Sequence, residues 1–72
     1  MKHMINVITD YGFSPSENEN EYVKGDWTIR IEDDNVEVFN IPHVGTGRYY
    51  FGPINKVDIK QLLEEINDFD RS

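Results

Sequence analysis

The sequence predicts a two-layer α+β fold: a short N-terminal helix, a three- or four-stranded antiparallel β-meander, and a C-terminal amphipathic helix packed on the sheet. Three observations carry that expectation. Residues 26–41, DWTIRIEDDNVEVFNI, alternate apolar and polar positions on either side of an acidic turn, at the period of two that a strand imposes. Ile59, Leu62, Leu63, Ile66 and Phe69 recur at i, i+3, i+4, i+7 and i+10, forming one helical stripe. Glycines, prolines and acidic clusters separate these segments in the manner of turns. With 72 residues, no internal repeat and no boundary signal, the chain reads as one domain, residues 1–72.

At the N-terminus Met1, Met4, Ile5 and Ile8 share a helical edge, and Gly12 followed by Phe13 supplies a left-handed stop with an apolar residue behind it. This predicts a helix over about residues 2–11, too short to be stable without laying its apolar edge on the sheet. Residues 14–21, SPSENENE, are acidic and lack apolar periodicity, so they read as an exposed loop. Tyr22-Val23-Lys24 follows as a short strand, and Gly25-Asp26 as a tight turn into Trp27.

Two registers compete for the central hairpin. One sets Ile31 opposite Val36, Ile29 opposite Val38 and Arg30 opposite Glu37; a two-residue Asp34-Asn35 turn would instead set Glu32 opposite Glu37. Turn chemistry favours the second and side-chain pairing the first. Several cross-strand pairs, each contributing roughly 0.2–1 kcal/mol, outweigh one turn preference, which selects the first.

Residues 40–47, NIPHVGTG, contain a proline and two glycines and read as a loop or ragged strand end. Residues 48–51, RYYF, read as a further strand stopped by Gly52-Pro53. The C-terminal helix is doubly marked at its start. Asp58 is placed to cap it with Gln61 reaching back, and Val57 to pack on Leu62.

Composition excludes several function classes. Without cysteine there is no disulfide or cysteine–zinc staple. Seven basic against fourteen acidic residues give a formal charge of −7, and the four lysines and three arginines are scattered. Direct nucleic-acid binding is therefore not expected, because it draws on a concentrated basic patch. No apolar run reaches the roughly 18–20 residues of a membrane span, and no signal-peptide core is evident, so the expectation is a cytoplasmic, soluble protein that does not bind membrane.

No motif assigns a chemistry. Gly45-Thr46-Gly47-Arg48 resembles an anion cradle but precedes a strand instead of opening a helix. Glu32, Asp33, Asp34 and Asn35 bring oxygen ligands together without the alternating spacing of a calcium loop. His3 and His43 form neither a zinc spacing nor a triad, and the serines and threonines lack a visible base. No cofactor and no metal is expected, and the protein is read as not an enzyme.

The sheet supplies a different candidate. If Ile29, Ile31, Val36, Val38, Tyr49 and Phe51 face the helices, alternation sends Arg30, Phe39 and Tyr50 to the opposite face, with Ile41 beside them. A two-layer fold leaves that face open, and aromatic and arginine side chains are enriched at interface hot spots. Exposed rings on a sheet also stack unpaired bases in some proteins, but such platforms combine with a positive groove, which Glu32 and Glu37 oppose here.

The succession of Gly12-Phe13, an acidic loop, the strand Trp27-Thr28-Ile29-Arg30-Ile31, an acidic turn and a terminal amphipathic helix resembles small uncharacterised proteins of bacterial phages and mobile elements. The resemblance is architectural, implies a role in modulating a host or element-encoded protein, and carries no functional residue across. Two functions follow as expectations. The first is a non-catalytic protein–protein interaction protein, binding a protein partner or itself through Arg30, Phe39 and Tyr50. The second is an acidic decoy that occupies the basic nucleic-acid site of another protein through Glu32, Asp33, Asp34 and neighbouring carboxylates.

Overall fold

A computed structural model of the chain describes residues 2–45 and 47–71. The elements, in order, are α1 (Lys2–Asp10), β1 (Ser14–Pro15), β2 (Glu21–Lys24), β3 (Trp27–Glu32), β4 (Asn35–Phe39), α2 (Ile41–Val44), β5 (Tyr50–Pro53) and α3 (Ile59–Arg71). Among the described residues the strands form one antiparallel five-stranded meander, β1-β2-β3-β4-β5, rather than three or four strands. α1 and α3 lie on one face of it, with Met4, Val7, Ile8, Ile59, Leu62, Leu63 and Ile66 closing over Trp27, Ile29, Ile31, Val36 and Val38.

α1 ends as its sequence dictates. Gly12 adopts φ 97°, Phe13 N–H donates to Ile8 O at 3.3 Å, and Gly12 N–H donates to Thr9 O at 3.0 Å. This is the paired closure of a Schellman cap, which satisfies carbonyls the last turn would otherwise leave free. Phe13, just past the cap, is buried in the core. Met4 and Ile8 face the core as expected, joined by Val7, while Met1 lies outside the described residues.

The central hairpin takes the register that side-chain pairing selects, with Ile31 opposite Val36, Arg30 opposite Glu37 and Ile29 opposite Val38. Its turn residues are Asp33 and Asp34, at φ 50° and 62°. Two positive φ values in a two-residue loop match the twist of the flanking strands, and aspartate tolerates them. Turn chemistry and side-chain pairing therefore agree once the turn is placed one residue earlier than Asp34-Asn35. Asn35 Nδ2 instead donates to Asp33 O at 3.0 Å. Gly25, at φ 57°, makes the β2–β3 turn.

Three local readings are corrected. The 14–21 segment is not wholly loop: Ser14 and Pro15 pair with Val23 and Tyr22 and add an edge strand. Within 40–47, Ile41–Val44 form a single helical turn, with Pro42 in its first turn where its missing N–H costs nothing. The last strand is Tyr50–Pro53, shifted from 48–51, and Gly52-Pro53 belongs to it instead of stopping it. β5 is an edge strand, where a proline removes a donor without breaking the ladder. Gly52, opposite Val36, lets the Tyr50 ring lie across it: a Cβ there would sit 2.5 Å from the Tyr50 hydroxyl.

At the start of α3 the Asp58 cap is as expected, its Oδ1 accepting from Gln61 N–H at 3.2 Å, and Val57 packs against the core. Its far end is tied down by Trp27, whose Nε1 donates to Asp70 Oδ1 at 2.8 Å and whose indole meets the Phe69 ring edge-on at 5.4 Å. Tyr49 meets the same indole at 5.0 Å. One side chain breaks the apolar rule of this layer. Asn40, following Val36 and Val38 on the inward alternation of β4, is fully buried, and its carboxamide has no hydrogen-bond partner among the described residues.

Candidate functional site

The face of the sheet turned away from the helices is built by the other half of each alternation. Cross-strand partners share a face, so Glu21 on β2, Arg30 on β3, Glu37 on β4 and Phe51 on β5 form one transverse row. A second row, Val23, Thr28 and Phe39, lies to one side of it, and a third, Glu32, Asn35 and Pro53, to the other.

Charge alternates along the first row. Arg30 donates from Nη2 and Nε to Glu21 Oε2, at 3.0 and 3.3 Å. Arg48, just before β5, donates from Nη1 to Glu37 Oε2 at 3.1 Å. Each guanidinium also lies over an aromatic ring, Arg30 over Phe39 at 5.5 Å and Arg48 over Phe51 at 4.2 Å, within the range of a cation–π attraction. The carboxylates lie low and the arginines stand above them: Glu21 and Glu37 side chains are 11% and 19% exposed, Arg30 and Arg48 40% and 47%.

This setting shifts two titrations. Hydrogen bonds from Asn18, then Arg30 and Ser16, hold the Glu21 carboxyl below its ordinary value against the opposing effect of burial. Glu21 in turn raises Arg30, keeping the guanidinium charged. Glu21 and Arg30 therefore hold each other as a charged pair.

Beside it Thr28, Arg30, Phe39, Ile41 and Glu21 line an open depression of about 320 Å³. Ile41 at its rim is 62% exposed and Phe51 at the other end of the face is 50% exposed, both high for large apolar side chains.

Of the residues the sequence nominates for partner binding, Arg30 and Phe39 lie on this face together and Tyr50 does not. Tyr50 pairs with Val38 and packs against the core, so it belongs to the helix-covered side. Phe51, expected to point inward, pairs with Glu37 and points outward instead. The reason is register: a one-residue change in pairing exchanges the two faces of a strand. Arg48 was missed because its partners, Glu37 and Phe51, become neighbours only through that pairing. A cue for the correct phase existed in Gly52, which leaves room for the ring two residues before it on the same face.

Of the remaining candidates, His43 makes structural contacts. His43 Nε2 lies 3.3 Å from Asp26 Oδ2 and its ring meets Phe69 edge-on, tying α2 to the β2–β3 turn and to α3. His3 is exposed on α1. Gly45 and Gly47 precede β5, and Thr46 between them lies outside the described residues. Among the described residues no three His, Asp or Glu side chains converge on a position suited to a metal ion. No described helix is long and apolar enough to cross a membrane. Comparison of the chain with known proteins finds no matching family model, no matching curated protein and no matching solved structure.

Proposed function

We propose that the protein is a small cytoplasmic, non-catalytic interaction protein that docks on a protein partner through the open face of its sheet. The observation that carries this reading is the pair of arginine–aromatic stacks, Arg30 on Phe39 and Arg48 on Phe51, held on a face that neither α1 nor α3 covers. Arginine and aromatic side chains are enriched at interface hot spots, the rings bringing large contact area and the planar guanidinium several directed hydrogen bonds at once. Both arginines are pre-positioned by carboxylates beneath them, which reduces the entropy lost on docking. Arg30 and Phe39 remain the anchors, and Phe51 with Ile41 takes the place of Tyr50. A role in modulating a host or element-encoded protein, as the resemblance to phage and mobile-element proteins implies, accords with such a surface.

The test compares the tagged protein with its Phe39→Ser/Phe51→Ser double variant for capture of partners from host lysate, at about 0.1 M and about 1 M salt. A partner held by the parent at both salt concentrations and lost by the folded double variant is the expected result. Capture unchanged in the double variant overturns the proposal. If that unchanged capture also collapses at high salt, the acidic decoy reading takes over, since Asp33 and Asp34 stand exposed at the hairpin tip with Glu32 beside them.

A further inference from the structure

Resting on the docking reading above and deepening it by naming the partner's chemistry, we propose that the occupant of this face is an acidic, apolar peptide segment of another protein. Its aspartate or glutamate carboxylates meet the unspent N–H groups of Arg30 and Arg48, and a large apolar side chain enters the depression beside Arg30. The layering of the face carries this. Glu21 lies low and is spent within the chain: its Oε1 accepts from Asn18 Nδ2 at 3.1 Å and from Ser16 Oγ at 3.4 Å, and its Oε2 takes both contacts from Arg30. Glu37 Oε2 takes Arg48, and its Oε1, on a side chain 19% exposed, has no partner among the described residues.

The guanidiniums above keep most of their donors. Arg30 engages Nε and Nη2, and its Nη1 has no partner among the described residues; Arg48 engages Nη1, and its Nε and Nη2 have none. The cation–π contacts with Phe39 and Phe51 draw on the charge and leave the in-plane N–H groups available. Arginine donates and cannot accept, so whatever covers these side chains has to bring acceptors. A carboxylate matches the planar fork, and its charge-assisted bonds are roughly twice as strong as neutral ones. A phosphate fits less well: Glu21 and Glu37 already offset part of each arginine's charge, and a dianion meets more repulsion from them than a carboxylate does.

Arg30 stands on β3 and Arg48 over Phe51 of β5, on either side of Glu37 and two strand spacings, roughly 10 Å, apart. One short segment reaches both. The depression lined by Thr28, Phe39 and Ile41 has room for one leucine or phenylalanine side chain next to the Arg30 contact. Glu32, Asp33 and Asp34 are exposed toward the hairpin tip and repel a carboxylate there, which directs the acidic residues of the segment to the Phe39 end. The formal charge of −7 opposes an acidic guest at long range. Salt screens exposed charges beyond about 8 Å at physiological ionic strength and affects the contacts at the arginines much less. Binding therefore strengthens as salt rises from very low to physiological levels.

The experiment is an NMR titration of the isotope-labelled full chain at physiological salt, reading backbone amides and arginine Nε–H signals. The probes are short acetylated and amidated peptides of glutamate, leucine and phenylalanine, and counterparts with glutamine, lysine or phosphoserine in place of glutamate, each added to about 5 mM. The glutamate peptide is expected to shift Thr28, Arg30, Phe39 and Phe51 and to bind at least about tenfold more tightly than the glutamine and lysine peptides. Arg30→Gln and Arg48→Gln are each expected to weaken it at least about tenfold. Signal dispersion establishes that each variant is folded; should one fail to fold, the other decides. Unchanged affinity in the folded variants overturns the inference, as does a glutamine peptide that binds equally well. A lysine or phosphoserine peptide that binds this face more tightly than the glutamate peptide overturns the carboxylate chemistry and leaves the docking reading standing. No shift on this face with any peptide overturns the inference alone, since capture from lysate decides the docking reading separately. Shifts confined to the helix layer or the hairpin tip overturn both.

Discussion

The two faces of the sheet use the same strands in opposite ways. On the helix-covered side Trp27, Ile29, Ile31, Val36 and Val38 are buried, and stability there comes from apolar area removed from water and from close packing. On the open side Arg30 and Glu37, one residue removed from those core positions, are joined to Glu21 and Arg48 by ion pairs that remain partly wet. Such pairs hold geometry without adding much stability, because solvent screens them. The contrast shows that an alternating strand can separate the residues that hold the protein together from those available to a partner, so that one set can change without the other.

Adjacent substitutions on β3 break the comparison most directly. Ile29→Ala removes a fully buried side chain from the centre of the core and is expected to cost about 2–5 kcal/mol, read by chemical denaturation. Arg30→Ala, the next residue on the opposite face, is expected to change stability by no more than about 1 kcal/mol, given its partial exposure. Comparable losses at the two positions would mean that the open face is also structural.

Asn40 tests the covered side from the other direction. A buried carboxamide without a partner carries an uncompensated desolvation cost, so Asn40→Leu, similar in shape, is expected to raise stability by about 1–3 kcal/mol. Its side chain makes no capping bond at the start of α2, so no cap is lost. A decrease in stability would show that the amide is engaged.

The smallest expected effect is pH dependence on the open face. Glu21 has its folded value depressed, so its contribution is present above the ordinary glutamate value and fades as pH falls through the folded one. Between about pH 5 and pH 3 the wild type is expected to lose more stability than Glu21→Gln, measured by denaturant titration across that range. Equal slopes would remove Glu21 from the ion-pair row as an energetic element.

Much of this architecture was legible in the residues. The Schellman closure at Gly12-Phe13, the Asp58 cap and the α3 stripe each depend on neighbours within a turn or two, where spacing alone specifies the partner. The register of β3 on β4 was also readable, because a two-residue loop leaves few alternatives and only one matches both apolar sets. The failures lie where local signals conflict or vanish. Ser14-Pro15 became a strand because β2 offered an unpaired edge, which no propensity in a proline-containing acidic segment announces. Ile41–Val44 became helical because Pro42 fits a first turn as readily as a loop.

By itself, then, the chain determined its layers, the extent of α1, the start of α3 and the hairpin that centres the sheet, since each follows from periodicity or from contacts close in sequence. Which aromatic ring faces a partner was decided by tertiary structure. Tyr49-Tyr50-Phe51 has no polar member to mark an outward position, so its phase comes only from the pairing of β5 with β4, which sets Tyr50 beside Val38 and turns Phe51 out beside Glu37. The same pairing brings Arg48 to Glu37 and completes the alternating row, a feature written across four separate segments and assembled only when the sheet closes.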